Sequence, residues 1–325
     1  MCTAITFKTK DHYFGRNLDL EYSYSEAVTI TPRRFPLPFR CVNAMDRHYA
    51  MIGIATVEDG YPLYYDATNE KGLSMAGLNF PGNAVYKRKI TGVDNITPFE
   101  FIPWVLGQCT NLTEAETLLS RTNLVNISFS DSLPLSPLHW IIADSERSIV
   151  VESMANGLRI YDDPIGVLTN NPPFDYHMQN LKNYLHLTRD EPTNRFAPGI
   201  DLTPYSRGMG AIGLPGDLSS SSRFIKAAFT KLNSVSGDSE AESISQFFHI
   251  LGSVAQQNGC VRVGESFEKT VYSSCCNTDQ CIYYYTTYDN SQITGVKLYG
   301  EDLDGSTLSS YPIIFEQQIR IVNEK

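Results

Sequence analysis

The chain opens Met1-Cys2-Thr3-Ala4-Ile5-Thr6-Phe7, passes through a polar Lys8-Thr9-Lys10-Asp11, and resumes as His12-Tyr13-Phe14-Gly15-Arg16-Asn17-Leu18-Asp19. The outer segments have strand patterning and the polar link reads as a turn, which predicts an antiparallel hairpin. Setting Phe7 opposite His12 brings Cys2 opposite Asn17, to within about two residues. Arg16 and Asp19 then lie beside the start of the chain. If Met1 is removed, Cys2 carries both a thiol and a free α-amine. These titrate at about 8.5 and about 8 when unperturbed. Nucleophile and base would both work near neutral pH, with no histidine required. A neighbouring Arg16 favours the thiolate, and Asp19 would hold the α-amine. The same spacing also describes a plain edge-strand ion pair, and a second-position cysteine can be incidental.

Working outward, further hairpins alternate with helices. Tyr49 to Val57 reads as a buried strand. Tyr61 to Asn69 and Gly72 to Asn79 form a second hairpin about Asn69-Glu70-Lys71-Gly72. Thr97-Pro98-Phe99-Glu100 has the threonine, proline and glutamate of a capping box, and Thr113-Glu114-Ala115-Glu116 opens a helix in the same way. Leu138–Ala143, Ser148–Ser153 and Gly157–Tyr161 predict a three-strand meander, with a short strand at Gly166–Thr169. Asn171-Pro172 is expected to cap a helix to about Leu185. Helices are also predicted after Ser220–Ser222, to about Leu232, and from Ser239 to near Gly259. Strands return at Thr270–Ser274, Ile282–Tyr288 and Gln292–Leu298, with a last one near Ile313–Ile321. Such runs of hairpins and helix pairs argue for an α+β fold with antiparallel sheets. Lys182 to Tyr205 is polar and proline-containing, and is expected to be a long surface excursion.

Composition narrows the function classes. With 325 residues, 42% hydrophobic and 19% charged, the chain has an ordinary globular balance. The net charge of −10 argues against nucleic acid as a partner. There is no run of 18 apolar residues for a membrane span, and no apolar signal region at the N-terminus. A cytoplasmic protein without membrane partners is expected. Seven cysteines in irregular spacing, with no C-x-x-C pair, predict free thiols rather than zinc or disulfides.

Several motifs are decoys. Gly208-Met209-Gly210-Ala211-Ile212-Gly213 matches a dinucleotide fingerprint, but no buried strand precedes it and Pro215-Gly216 blocks a following helix. It is expected to be a loop. The six histidines have no metal-binding spacing, and His139, beside Trp140, reads as a core residue. A thiol–histidine pair stays open from sequence. No metal or cofactor is expected.

Beyond these patterns, Met1-Cys2-Thr3, Gly15-Arg16-Asn17-Leu18-Asp19, Asn69-Glu70-Lys71-Gly72-Leu73, Gly77-Leu78-Asn79-Phe80-Pro81, Leu168-Thr169-Asn170-Asn171-Pro172, Gly213-Leu214-Pro215-Gly216-Asp217 and Ser222-Arg223-Phe224 occur in this order. Together they resemble the choloylglycine hydrolase family, which comprises conjugated bile salt hydrolases and penicillin V acylases. The resemblance covers essentially the whole chain. It implies the N-terminal-nucleophile αββα sandwich, with two stacked antiparallel sheets and a single domain over residues 1–325 from which Met1 is removed.

What the resemblance implies for the site can be stated residue by residue. Cys2 matches the nucleophile, and Arg16, Asp19, Asn170 and Arg223 match the positions around it. Asn79 stands where bile salt hydrolases usually carry asparagine and penicillin V acylases tyrosine. The implied substrates are glycine- or taurine-conjugated bile salts, and the implied assembly is a homotetramer. The alternatives are a penicillin V acylase or other N-acyl amidase, and a non-catalytic sterol- or lipid-binding protein. Read alone, Asn170 is also a plain turn or cap residue, and Asn79 an ordinary strand end. Arg223, in the first turn of a helix, sits at an unfavourable end for a cation. For the apolar body of the substrate the candidate walls are Leu20, Tyr24 and Tyr65, with Leu133 and Leu135 from a proline-bounded loop. Each is equally readable as core.

Overall fold

The structure is a computed structural model and describes residues 1–323. Two large antiparallel sheets dominate it. The first runs, from one edge to the other, Val167–Leu168, Cys2–Lys8, His12–Leu20, Ser266–Asn277, Ile282–Thr287 and Asn290–Lys297, with Val261–Val263 also paired to Ser266–Asn277. The second runs Gly157–Asp162, Ser148–Met154, Leu138–Ala143, Ser74–Asn79, Tyr61–Asn69, Met51–Glu58, Ala27–Thr31 and Ser309–Pro312.

The two-residue period of a strand explains how the layers stack. In the Leu138–Ala143 strand, Ile141 and Ala143 join one hydrophobic core, while Trp140 and Ile142 join the other. Its partner divides in the same way, with Val150 on one side and Ile149 and Val151 on the other. Strands buried on both faces need cover on both faces. The first core lies between the sheets and continues beneath the helices Ser220–Asn233 and Glu240–Gly252, through Phe224, Phe247 and Leu251. The second lies under the helices Phe101–Leu106 and Leu112–Leu119, where Phe101 meets the Trp140 ring edge-on at 4.8 Å. The order of layers is helix, sheet, sheet, helix: the expected αββα sandwich.

The N-terminal hairpin forms with a register one residue from the expected one. Cys2 pairs with Leu18, Ala4 with Arg16 and Phe7 with Tyr13. Residues opposite one another share a face, so Cys2, Leu18 and Arg16 point toward the second sheet. Thr3 and Asn17 point toward the helices. Asn17 Nδ2 donates to the Leu251 carbonyl at 3.0 Å, anchoring the hairpin to the second of them.

Several predicted elements differ. The strand Ala27–Thr31 was not anticipated; it is five residues long and fully buried. Its edge is covered by Ser309–Pro312, so the last strand precedes the expected Ile313–Ile321. With that edge occupied, Ile319 and Ile321 have no strand to pair with and stay exposed. The Leu112–Leu119 helix is capped by Asn111, which accepts from the Glu114 N–H at 3.0 Å, and not by Thr113. The helix after Asn171-Pro172 starts at Phe174 and ends at Leu181, followed by one 3-10 turn. The helix from Ser239 stops at Gly252, since Gln256 must turn to meet Thr270 at the sheet. Ser220–Ser222 lie inside their helix rather than before it. The Gly208–Gly213 motif is a loop holding a single 3-10 turn, Met209–Ala211.

One close approach controls where Arg16 stands. A Cβ at Gly15 would lie 2.0 Å from the Ser274 carbonyl oxygen of the neighbouring strand. That atom is backbone and cannot move aside. Gly15→Ala is expected to destabilise the protein by at least about 1–3 kcal/mol, read from urea midpoints, and to lower activity through the displaced Arg16.

Candidate active site

The site grows from the end of the Cys2–Lys8 strand. Cys2 is 3% exposed and its Sγ accepts from Arg16 Nη2 at 2.6 Å. Arg16 is completely buried. Its Nη1 donates to the Tyr65 carbonyl at 3.0 Å and the Gly77 carbonyl at 2.5 Å, both on the second sheet. Burial alone would weaken a guanidinium's hold on its proton. The negative ends of Cys2, Tyr272, Asp66 and Tyr283 outweigh that and raise its pKa.

Arg223 reaches the other face of the same strand. Its Nη1 donates to the Cys2 carbonyl at 2.5 Å and to Thr3 Oγ1 at 2.6 Å, and its Nη2 to Asn170 Oδ1 at 2.7 Å. Its Nε donates to the Leu218 carbonyl at 3.0 Å. The cation near a helix N-terminus is thus explained: the guanidinium bonds away from its helix, into the strand. Burial lowers its pKa, against the attraction of Asp19 and Cys2.

Asn170 is fixed by groups that can act in only one sense. Its Oδ1 accepts from the Cys2 N–H at 2.8 Å and from Arg223, while its Nδ2 donates to the Asn79 carbonyl at 2.7 Å. Donor-only and acceptor-only neighbours set the amide's orientation without ambiguity. Asp19 is fully buried. Its Oδ1 accepts from Thr270 Oγ1 at 2.7 Å, and its Oδ2 stands 3.8 Å from Arg223 Nη1. Burial raises this carboxyl's pKa, and Arg223 and the chain's N-terminal ammonium pull it back. Met1 is present: its ammonium donates to the Asp19 carbonyl at 2.6 Å and pairs with Glu268. Burial lowers the pKa of that ammonium below the usual 8.0.

The structure therefore gathers Cys2, Arg16, Asp19, Asn79, Asn170 and Arg223 at one place, with Asn79 contributing its carbonyl. The candidate substrate walls divide. Leu20 and Tyr65 pack against the core that contains Cys2. Tyr24 is exposed, meets Tyr22 ring to ring at 4.9 Å, and its carbonyl accepts from Thr56 Oγ1 at 3.1 Å. Leu133 and Leu135 are half-buried in their loop and belong to neither core.

Sequence reasoning missed the clamp that holds Asn170. Its N–H donates to Ser220 Oγ at 2.8 Å, and its carbonyl lies 2.9 Å from His177 Nε2. The preceding carbonyl, of Thr169, lies 2.9 Å from Nε2 of His139, whose other nitrogen is 3.2 Å from Glu152. His139 is a satisfied core residue, as expected, and stacks on Phe80 at 4.2 Å. Glu268 was also missed. His177 lies seven residues beyond Asn170; the other partners lie tens to hundreds of residues apart and carry no local signal.

The site thus sets a thiol bonded to a buried guanidinium beside a fixed amide, within the fold of an N-terminal-nucleophile hydrolase. Residues 2–311 match the family model described as linear amide C–N hydrolases, choloylglycine hydrolase family. The chain is 58% identical over 324 residues to the bile salt hydrolase/transferase of Lactiplantibacillus plantarum, covering 99% of this chain and all of that one. It is 40% identical to the bile salt hydrolase/transferase of Clostridium perfringens, covering 96% of each. A crystal structure of a mutant conjugated bile acid hydrolase from Clostridium perfringens superposes with TM-score 0.92 at 38% identity, covering 99% of this chain and all of that one. Penicillin V acylase from Agrobacterium tumefaciens, at 15% identity and TM-score 0.73, shares the fold, over 95% of this chain and 90% of that one. The chain belongs to the choloylglycine hydrolase family of linear amide C–N hydrolases.

The clamp has a pH signature. Burial lowers the His177 pKa from 6.5 to about 4, so the imidazole stays neutral when folded. Between those values the unfolded chain holds the extra proton. Its stabilising contribution is complete above about 6.5 and is lost as pH falls toward about 4. His177→Gln, which can still donate to Asn170, should flatten the stability–pH slope in this window by up to about 1.4 kcal/mol per pH unit, measured by denaturant titration.

Proposed function

We propose that the protein hydrolyses the amide of glycine- or taurine-conjugated bile salts, with Cys2 as nucleophile after removal of Met1. The observation that carries this reading is the Cys2 Sγ bonded to a buried Arg16, within a full-length match to bile salt hydrolases. The thiol proton passes to the Cys2 α-amine, and the thiolate attacks the amide carbon. The C–N bond breaks as the α-amine returns the proton to the leaving nitrogen. Water then hydrolyses the thioester, again with the α-amine as base. Asn170 Nδ2 spends one hydrogen on Asn79, which leaves the other for the tetrahedral oxyanion. A donor of that kind is worth about 3 kcal/mol. Arg16 stabilises the thiolate as it forms, and Asp19 with Arg223 orients the terminus.

Removal of Met1 is required by this scheme, because the Cys2 nitrogen is otherwise a peptide N–H committed to Asn170. Leu20 and Tyr65, with Leu133 and Leu135 from their loop, are the groups we assign to the sterol body. Asn79 in place of tyrosine favours bile salts over penicillin V.

Cys2→Ala is expected to abolish release of glycine or taurine, and Cys2→Ser to slow it severely. The assay is ninhydrin detection with glycocholate, taurocholate and penicillin V compared side by side. Turnover by Cys2→Ala refutes the scheme, and faster turnover of penicillin V favours the acylase.

We further propose a single-domain, cytoplasmic enzyme that assembles as a homotetramer through the Lys182–Tyr205 excursion. No helix of the described residues is long and apolar enough to cross a membrane, and all seven cysteines are free. In the excursion Leu185, Phe196 and Tyr205 are 85%, 92% and 87% exposed in the isolated chain, which is costly for side chains of this size unless a partner covers them. Phe196→Glu should lower the mass measured by light scattering toward that of smaller species, with the fold retained by circular dichroism.

A further inference from the structure

A second buried carboxylate stands near Arg16. Asp66, in the Tyr61–Asn69 strand of the second sheet, is 1% exposed. Three hydroxyls of the first sheet converge on it. Tyr272 Oη donates to its Oδ1 at 2.8 Å, and Tyr283 Oη and Ser274 Oγ donate to its Oδ2 at 2.5 and 3.3 Å. Ser274 Oγ in turn accepts the Arg16 backbone N–H at 3.1 Å. The Tyr65 carbonyl, one residue before Asp66, accepts from Arg16 Nη1. Two bonded routes thus connect Asp66 to Arg16, and Arg16 is bonded to the Cys2 thiol.

This cluster joins the two sheets through a buried charge. Buried charge is seldom more stabilising than apolar packing of the same volume, so its presence asks for another reason. The remaining charges supply one. Arg16 faces Cys2, Asp66, Tyr272 and Tyr283. Asp66 faces Arg16, Tyr272, Tyr283 and Cys276. From the helix side Arg223 faces Cys2 and Asp19, and the N-terminal ammonium faces the same three groups. Burial raises the Asp66 pKa, and Arg16 with the Tyr283, Tyr272 and Ser274 hydroxyls pulls it back; when ionised, Asp66 is the counter-charge to the Arg16 guanidinium between the sheets.

Resting on the reading of Cys2 as nucleophile, we propose that Asp66 is a positioning residue acting through Arg16, a resident counter-charge that fixes the guanidinium and moderates its pull on the thiolate. A like charge disfavours a second anion nearby, and a partly neutralised cation attracts less. Both effects have the same sign: the carboxylate opposes the stabilisation that Arg16 gives the Cys2 thiolate. The benefit is chemical, because the intrinsic nucleophilicity of a thiolate declines as its pKa declines.

The test is a titration of Cys2 in the full chain, by the ultraviolet absorbance of the thiolate as a difference between each enzyme and its Cys2→Ala counterpart. Asp66→Asn should move the midpoint down by about one pH unit. Tyr283→Phe, which removes one donor and makes Asp66 easier to protonate, should move it down by less. Thermal melts establish that the variants are folded, and Tyr283→Phe carries the test if Asp66→Asn does not fold. An unchanged or raised midpoint in a folded variant overturns the proposal. The Cys2→Ala assay separates the two readings. Inactive Cys2→Ala with an unmoved midpoint fails Asp66 alone; active Cys2→Ala with a lowered midpoint fails the nucleophile and keeps the coupling.

Discussion

The contact between the Arg16 guanidinium and the Cys2 sulfur organises the rest of the molecule. A cation completely removed from water must have every donor directed at an acceptor. Arg16 meets this demand from two sheets at once, through sulfur and backbone on its own and the Tyr65 and Gly77 carbonyls on the other. The sheets must therefore stack at one distance and in one register. The glycine before it, pressed against the Ser274 carbonyl, sets how deeply the strand sits.

A second constraint acts on the opposite face. Arg223 joins the Cys2 carbonyl, Thr3 and Asn170, so that a helix, a strand and a loop meet at one guanidinium. The two arginines grip the terminal residue from either side of its sheet. The thiol faces the space between sheets and the main chain faces the helices. This division follows from the alternation of a strand, and it lets one residue present two different groups in two different surroundings.

Much of this was legible in the sequence. The N-terminal hairpin followed from local alternation and a polar turn, and its register was off by one residue because the turn's length, not its polarity, sets pairing. Strands buried on both faces, such as Leu138–Ala143, were recognisable as predominantly apolar runs. The ordered motifs brought Asn79, Asn170 and Arg223 to Cys2. Less visible were elements whose identity depends on a distant partner. Ala27–Thr31 is short and becomes a strand by pairing with Met51–Glu58 on one side and Ser309–Pro312 on the other. Asp66, Glu268 and the histidine clamp on Asn170 depend on tertiary placement, which no local window contains. The walls of the substrate site were the weakest reading, since apolar residues in loops and in cores look alike in sequence.

The first strand is completed by the last third of the chain. The strand carrying Arg16 pairs on its far side with Ser266–Asn277, and Arg223 must be in place to bind the Cys2 carbonyl. On a ribosome adding roughly 5–20 residues per second, these partners emerge about a quarter of a minute to a minute after Cys2. Throughout that interval the strand that carries Cys2 has no far-side sheet to join. Once the chain is finished, Cys2 is sealed between two arginines. Synthesis from one end to the other thus orders two events, exposing the terminus before burying it, with no separate timing device.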